Sequence, residues 1–317
     1  MATPEELLLL LDRRLAILRK TRPDLGEALH LQEQLVRTSL AAARPPRADP
    51  FPLPREHLAA RLREGVPILH DQPVQVDLHF AADLFSRLVN TLQQREDAEL
   101  GQGLEDVVAA ATNGALDPQR LFVEAFVHHE DHLAEMAHGA GLEPELLATL
   151  ATLSVAPVLR AYAEHLRPFI ERLDDGSPEG TAWHRGYCPI CGGWPLLGEL
   201  RGVELAHYLR CAGCGSGWRA QRLGCSYCGN EDFRSLQSLT VEGEQRFRVS
   251  VCERCHGYLK VGNAFDPPPA ELLAIDDAAS LHLDVAAIER GYQRPMGSGF
   301  RIELAVPEEA WLEAEEA

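Results

Sequence analysis

The cysteines constrain this chain more than any other feature. All eight lie within residues 188–255 of the 317-residue sequence. They form four Cys-x-x-Cys pairs: Cys188 and Cys191, Cys211 and Cys214, Cys225 and Cys228, Cys252 and Cys255. A two-residue gap lets one turn direct both sulfurs at a single ion, and a tetrahedral zinc or iron site takes four sulfurs at about 2.3 Å. The pattern therefore predicts two four-cysteine metal sites.

The spacing between the pairs favours a sequential arrangement of ligands. Nineteen residues separate the first two pairs, ten separate the second from the third, and twenty-three separate the last two. Gaps of roughly 15–20 residues are typical of metal ribbons. Val203–Arg210 and Phe247–Val251 are predicted strands, and Val241–Glu244 is a predicted turn. Pairs one and two would then share one ion and pairs three and four the other, with an interleaved cross-brace as the alternative.

Glycine follows three of the four pairs. Gly192, Gly215 and Gly229 each come directly after a second cysteine, where glycine adopts a left-handed backbone without steric cost. His256 and Gly257 follow the fourth pair, so its turn is expected to be shifted by one residue. Three tryptophans are expected to pack around these turns, because small ribbons have little other core: Trp183, Trp194 and Trp218.

The start of the chain argues against disulfides as the alternative use of the cysteines. Thr3 to Glu6 has the pattern of a helix capping box with proline in the first turn. The Leu7–Leu11 run is too short, and its flanks too charged, for a secretion signal. We find no apolar stretch of 18 residues, so no membrane insertion is expected. Export to an oxidising compartment, which disulfides need, is therefore not expected. A thioredoxin-like redox pair is disfavoured, since that motif is single.

The pattern of apolar residues makes residues 1–180 helical, apart from the five-proline segment Ala43–Pro54. The predicted helices are Thr3–Arg19, Asp24–Ala43, 55–65, 76–95, 103–113, 117–139, 143–173 (kinked at Pro157) and, after the cysteines, Ala270–Tyr292. The fold class is therefore multidomain α+β. It combines an all-α N-terminal domain (1–180), two rubredoxin-like or zinc-ribbon modules (181–222 and 223–265) and a C-terminal helical extension (266–317). The loop 174–180 marks the first boundary, and 308–317 is an acidic tail.

A second polar cluster lies on the predicted helix 117–139. Spacings of three and four residues place its members on one stripe: Glu124, His128, Asp131, His132 and Glu135. Such stripes can bind metal, but apolar residues occupy the opposite side, so a solvated face of an amphipathic helix is favoured. His129 lies toward the apolar side and is expected to be a hydrogen-bonded core histidine.

Composition and motifs disfavour catalysis and nucleic-acid binding. The sequence has no glycine-rich phosphate loop, nucleophile elbow or three-ligand metal motif, and closed four-cysteine sites do not act as Lewis acids. The net charge is −18, and residues 181–265 hold ten Lys and Arg against seven Asp and Glu. A nucleic-acid protein normally has a basic footprint, so we expect a protein that is not an enzyme and binds no nucleic acid.

Five segments carry a resemblance to a known family. They read CPICGG, CAGCGSGW, GCSYCGN, CERCHGYLK and, further on, DDAASLHLDVAAIERGY. Together they resemble the bacterial formate dehydrogenase accessory proteins (FdhE-type). The likeness has specific motifs from about residue 140 to 295 and rests on helical character alone before that.

The resemblance implies a cytoplasmic maturation factor or chaperone. It would bind the catalytic (alpha) subunit of formate dehydrogenase before export and would not be a subunit of the final enzyme. The first two cysteine pairs would hold one ion and the last two the other. Iron is favoured by the resemblance, with zinc as the alternative, since both accept four sulfurs. Two rivals stay open: a zinc-ribbon protein of the transcription machinery, and a rubredoxin-like electron carrier.

Overall fold

A computed structural model describes residues 2–49, 51, 55–171, 183–221 and 223–305. Eight helices come first: α1 (Pro4–Thr21), α2 (Gly26–Leu40), α3 (Arg55–Glu64), α4 (Leu78–Gln93), α5 (Ala98–Asn113), α6 (Pro118–Phe126), α7 (Glu130–Ala140) and α8 (Pro144–Glu171). Six strands follow: β1 (Pro195–Arg201), β2 (Ala206–Cys211), β3 (Gly217–Arg219), β4 (Leu236–Leu239), β5 (Phe247–Cys252) and β6 (Tyr258–Ala264). Helices α9 (Leu273–Ala279) and α10 (Leu281–Ile288) come last. The expected α+β fold, helical first and mixed afterwards, is confirmed.

Local sequence signals explain where the helices begin. The predicted capping box is present at α1, where Thr3 Oγ1 accepts from the Glu6 N–H at 3.2 Å and Glu6 Oε2 accepts from the Thr3 N–H at 2.7 Å. Asp77 caps α4 by accepting from the Phe80 N–H at 3.0 Å. These caps satisfy backbone groups that the first turn of a helix leaves free.

The long helix α8 is the centre of the helical region. It packs against α4, α6 and α7, and it continues through Pro157 and Pro168; the kink at Pro157 stays a prediction. By length and composition, Pro144–Ile170 could cross a membrane, which corrects the expectation that no such stretch exists. Of its most apolar 18-residue segment, 56% is buried inside the protein. The core helix of a protein without membrane spans can have the same length, composition and burial.

Two predicted helices are wrong in their continuity. The single helix expected over 117–139 is two helices, α6 and α7, separated at Val127–His129. His128 in this break has a φ of 57°, which no residue in a right-handed helix adopts. The helix expected over Ala270–Tyr292 is likewise a 3₁₀ turn followed by α9 and α10, which meet at Ser280. The α6–α7 break places the neighbouring residues His128 and His129 in different surroundings.

All six strands form one mixed sheet in the order β3-β2-β1-β6-β5-β4. The strand expected over Val203–Arg210 is β2, which starts later because a turn occupies residues 202–205, and β1 was not predicted. β5 matches the expected strand, and the predicted turn is present, with the Glu244 N–H donating to Val241 O at 3.0 Å. Parallel pairing of β1 with β6 joins the strands of the two predicted ribbons. The division of the chain into four domains stays a prediction, as its boundary loop at 174–180 and the acidic tail lie outside the described residues.

Three aspartates of the DDAASLHLDV segment fasten α9 and α10 to the rest of the protein. Asp276 accepts hydrogen bonds from Arg14 of α1 and from Arg246. Asp277 and Asp284 surround the Lys260 ammonium, at 2.9 Å and 2.6 Å. A motif that resembles the family pattern therefore connects the first helix, the sheet and the C-terminal helices.

Candidate metal centres

The first cluster of sulfurs comes from the first two cysteine pairs. Cys188 and Cys191 lie in the turn before β1, Cys211 ends β2, and Cys214 lies before β3. The Sγ atoms of Cys188 and Cys214 are 3.6 Å apart, and those of Cys191 and Cys211 are 3.4 Å apart. All four ligand atoms lie within 4.8 Å of one another.

The second cluster repeats this plan with the last two pairs. Cys225 and Cys228 precede β4, Cys252 ends β5, and Cys255 precedes β6. The Sγ atoms of Cys225 and Cys255 are 3.6 Å apart, and those of Cys228 and Cys252 are 3.8 Å apart. The structure thus brings the sulfurs together in two sequential sets and does not interleave them.

The sulfur distances fit a four-coordinate ion. Tetrahedral geometry with metal–sulfur bonds of about 2.3 Å puts neighbouring sulfurs roughly 3.8 Å apart, whereas a disulfide would bring them to about 2.05 Å. The observed 3.4–3.8 Å belongs to the first case. Both clusters could therefore hold a metal ion that prefers thiolates, and iron and zinc both meet that condition.

All four cysteine turns share one backbone pattern. The first cysteine of each pair donates its N–H to the carbonyl five residues later, at Gly193, Ser216, Asn230 and Gly257, over 2.8–3.0 Å. The residue after the second cysteine has a positive φ in every turn, at 76°, 71°, 67° and, for His256, 53°. The expectation of a shifted fourth turn is wrong, because His256 itself takes the left-handed conformation that glycine takes elsewhere.

Backbone and side-chain donors reach the sulfurs in both clusters. The Ile190 N–H donates to Cys188 Sγ at 3.4 Å, and the Tyr227 N–H donates to Cys225 Sγ at 3.4 Å. In the second cluster Asn230 Nδ2 donates to Cys252 Sγ at 3.6 Å. Donors of this kind stabilise thiolate charge, and they orient metal ligands in known sites.

The two clusters differ sharply in burial. In the first, Cys188, Cys191 and Cys211 are 0% exposed and Cys214 is 1% exposed. In the second, Cys228 is exposed and only Cys252 is buried. The first cluster belongs to the same hydrophobic core as α4 and α8, so losing an ion there would disturb much more of the protein.

Residues 68–69 of the helical region and Phe300 near the C-terminus both form hydrogen bonds with the turn that carries Cys188 and Cys191. Ile68 and Leu69 donate their N–H groups to Pro189 O and Ile190 O, at 2.8 Å and 3.0 Å. On the other side, Phe300 donates its N–H to Gly192 O at 3.1 Å. Three distant parts of the chain therefore meet at this one turn.

The cysteine thiols within each cluster differ in pKa. Burial raises the pKa of Cys188, and its three neighbouring sulfurs raise it further. Burial also opposes ionisation of Cys252, but hydrogen bonds from the Cys255 and Arg254 backbone outweigh it and lower the Cys252 pKa to about 7. Burial likewise opposes ionisation of Cys214, but hydrogen bonds from the other three sulfurs outweigh it and lower the Cys214 pKa. One sulfur in each cluster therefore ionises readily, and a bound cation would favour deprotonation of the others.

His128 reaches the first cluster from the α6–α7 break. A Cβ atom added to Gly213 would lie 2.5 Å from His128 Cε1, and one added to Gly193 would lie 3.2 Å from His128 Nε2 and 3.3 Å from Cys211 Sγ. Burial lowers the pKa of His128, although the Cys214 sulfur opposes that shift. Among the described residues, Nε2 has no hydrogen-bond partner. Residue spacing could not reveal this contact, since it depends on the break.

The polar stripe expected on helix 117–139 does not form one face. His128 packs at the first cluster, while Asp131 and Glu135 are exposed. Glu124 and His132 instead meet His129, whose Nδ1 is 2.7 Å from Glu124 Oε2. His129 is a largely buried, hydrogen-bonded histidine as expected, with 12% of its side chain exposed.

The tryptophans pack around the cysteine turns as expected. Trp183 and Trp218 are 6% and 2% exposed, and Trp183 donates its indole N–H to Tyr187 O at 2.8 Å. Trp194 lies between Tyr187 beside the first cluster and Tyr227 inside the second, with ring centroids 6.2 Å and 5.4 Å away. Aromatic packing therefore fills the space between the two clusters.

Comparison with known proteins identifies what these centres resemble. Residues 223–300 match the model of the FdhE C-terminal domain. An FdhE homolog of Aquifex aeolicus is 23% identical over 76% of this chain and 76% of its own length. An FdhE homolog of Pseudomonas aeruginosa is 37% identical over 38% of this chain, and the match spans only 41% of that protein.

A solved structure extends the likeness to almost the whole chain. The crystal structure of the FdhE protein from Pseudomonas aeruginosa superimposes with a TM-score of 0.56 at 25% sequence identity. It covers 92% of this chain and 94% of the compared one. The likeness therefore includes the helical region, where sequence motifs alone were weak.

Proposed function

Because this chain resembles FdhE proteins in sequence and in fold, we propose that it is a cytoplasmic accessory protein, not an enzyme, that binds the catalytic subunit of formate dehydrogenase during maturation. The observation that carries this proposal is the pair of closed four-sulfur clusters, set on a fold shared with a solved FdhE protein over 92% of the chain. Recognition would take place before the catalytic subunit is exported.

The closed clusters support a role other than catalysis. Catalytic metal sites keep a coordination position for water or substrate, whereas four protein ligands complete a tetrahedron. Each cluster offers four sulfurs, and the first is 0–1% exposed. Cys188, Cys191, Cys211 and Cys214 would hold one ion and Cys225, Cys228, Cys252 and Cys255 the other. We favour iron in both clusters. Iron bound by four thiolates could gain and lose one electron.

A cleft between α8 and the first cluster offers a surface for the partner. Its volume is about 590 Å³, and it is lined by residues of α8, the sheet and the Pro267–Pro269 segment. Cys214, Arg160 and Arg210 line it, and Arg210 is held by Glu199 Oε1 at 2.8 Å. Arg210 is 5% exposed and already paired, and Glu164 and Glu271 also line the cleft, so the cleft offers a partner charges of both signs.

A deletion strain tests the function. Without this chain, the native host should lose formate dehydrogenase activity while still synthesising the catalytic subunit, because the chain acts after synthesis. Wild-type protein should restore activity, the Cys188→Ser/Cys191→Ser variant should not, and His138→Ala, an exposed change in α7, should restore it. Full formate dehydrogenase activity in the deletion strain would refute the proposal.

A further inference from the structure

The α6–α7 break places two neighbouring histidines in different surroundings. His128, with its φ of 57°, packs against Gly193 and Gly213 at the first cysteine cluster. His129 is the residue before α7 and turns to Glu124 near the end of α6. His132, three residues later and in the first turn of α7, joins the same carboxylate. The break thereby assembles a second polar group beside the first cluster.

Two imidazoles and one carboxylate converge at this point. Glu124 Oε2 lies 2.7 Å from His129 Nδ1 and 3.2 Å from His132 Nδ1. One ligand atom from each of the three residues lies within 4.8 Å of the others. The two imidazole rings are in contact, with centroids 3.4 Å apart. A single ion could therefore reach all three side chains after small rotations.

Hydrogen bonds satisfy only part of the Glu124, His129 and His132 cluster. His129 can donate to Glu124 Oε2, which satisfies that pair. His132 Nδ1, however, is buried and makes no hydrogen bond within the described part of the chain, although it is 3.2 Å from the same oxygen. An imidazole nitrogen shielded from water without a partner is destabilising, and a metal ion would use its lone pair.

We propose that Glu124, His129 and His132 form a third metal site, specific for a divalent first-row transition ion. Two histidines and one carboxylate are the ligands of several zinc and iron(II) centres, which keep positions open for water. The His132 side chain is 37% exposed although its Nδ1 is shielded, so the site lies close to the protein surface. It differs in this from the buried cysteine cluster nearby.

Charged side chains of both signs surround the group. The N-terminus of a helix disfavours positive charge, whereas Glu130 and Asp131 in the first turn of α7 favour it, although Asp131 also pairs with Arg301 at 3.3 Å. Arg120 lies 3.7 Å from the other oxygen of Glu124, Oε1, and is largely exposed. That arrangement leaves Oε2 directed at the two histidines.

An ion at this site would fix the α6–α7 break. Because His128 and His129 are adjacent, holding His129 also holds the residue that packs against the first cysteine cluster. The third site would therefore strengthen the contact between the helical region and the first metal centre. It rests on no assumption about the partner protein.

Cobalt(II) titration of the full chain tests the third site. Anoxic protein with both cysteine clusters already loaded should bind one further equivalent of Co²⁺. That equivalent should show weak d–d absorption without new thiolate charge-transfer bands, because its ligands are nitrogen and oxygen. Calorimetry with Zn²⁺ should give the same stoichiometry.

Variants separate this site from general surface binding. His132→Ala and Glu124→Gln should each weaken the third equivalent by about 100-fold or more, since losing a direct ligand costs at least as much as losing an outer-shell partner. His138→Ala, on the same helix and exposed, should bind like wild type. Thermal melts check that each variant is folded. Absence of a third equivalent in wild type, or its persistence in folded His132→Ala, would overturn the proposal.

Discussion

Replacing Cys191 with Ser is expected to abolish metal binding at the first cluster and to unfold most of the protein at 25 °C. The Cys191 sulfur is fully buried, lies 3.4 Å from Cys211 Sγ and belongs to the core that includes α4 and α8. Structural four-ligand sites contribute on the order of 10–16 kcal/mol of binding free energy, which exceeds or matches a typical folding stability of about 5–15 kcal/mol. Serine oxygen is a poor replacement ligand.

Cys228→Ser provides the matched comparison. Cys228 is exposed in the second cluster, so its loss should release one ion and leave the helical region folded. Counting only thiolate-bound ions, metal analysis should find one equivalent in Cys228→Ser, against two in wild type, and circular dichroism should report near-native helix content. For Cys191→Ser, two retained thiolate-bound equivalents and an unchanged melting temperature would show that the first cluster is not a metal site.

Replacing Lys260 with Met is expected to destabilise the protein by about 3 kcal/mol, because it removes one of the two cations that neutralise a pair of largely buried carboxylates. The Lys260 side chain is 0% exposed, and its ammonium lies 2.6 Å from Asp284 Oδ2 and 2.9 Å from Asp277 Oδ1. Burial acts to raise the pKa of Asp277, but Arg294 and Lys260 outweigh it and lower that pKa. At neutral pH Asp277 is therefore charged, and in the variant Arg294 is the remaining cation beside it.

Urea denaturation of metal-loaded protein at pH 7 measures the effect of Lys260→Met. Arg87→Met is the control, since it removes an exposed helical ion pair in which Arg87 Nε lies 2.8 Å from Asp83, and such pairs contribute only about 0.3–0.5 kcal/mol. If Lys260→Met changed the free energy of unfolding no more than Arg87→Met, the buried network would not be what fastens α9 and α10 to the sheet.

Local patterns predicted what short-range chemistry determines. The cysteine pairs specified the turns and their hydrogen bonds, and the capping residues placed the start of α1. The predicted helices 55–65, 76–95 and 143–173 correspond to α3, α4 and α8 within two residues at either end. In each case the residues that decide the structure lie within a few positions of one another.

Long-range contacts produced the features that the sequence did not predict. The parallel β1–β6 pair joins residues 63 positions apart, and no local turn pattern predicts it. The helix breaks at His128 without a local glycine or proline. Packing of His128 against Gly193 and Gly213 accounts for the break. In the same way His256 accepts a left-handed backbone in a turn that the sulfurs already determine. At His128, tertiary contacts therefore override the helical periodicity of the sequence.

The most direct test of the central claim is an anoxic pull-down from native cytoplasm with the tagged full chain. Partners would be identified by mass spectrometry, with Cys191→Ser, which is expected to be largely unfolded, as the control for capture that does not need the folded chain. The account predicts recovery of the formate dehydrogenase catalytic subunit with wild type and little with the variant. Recovery of RNA polymerase, ribosomes or nucleic acid in its place would contradict the account and favour a transcription-associated zinc ribbon.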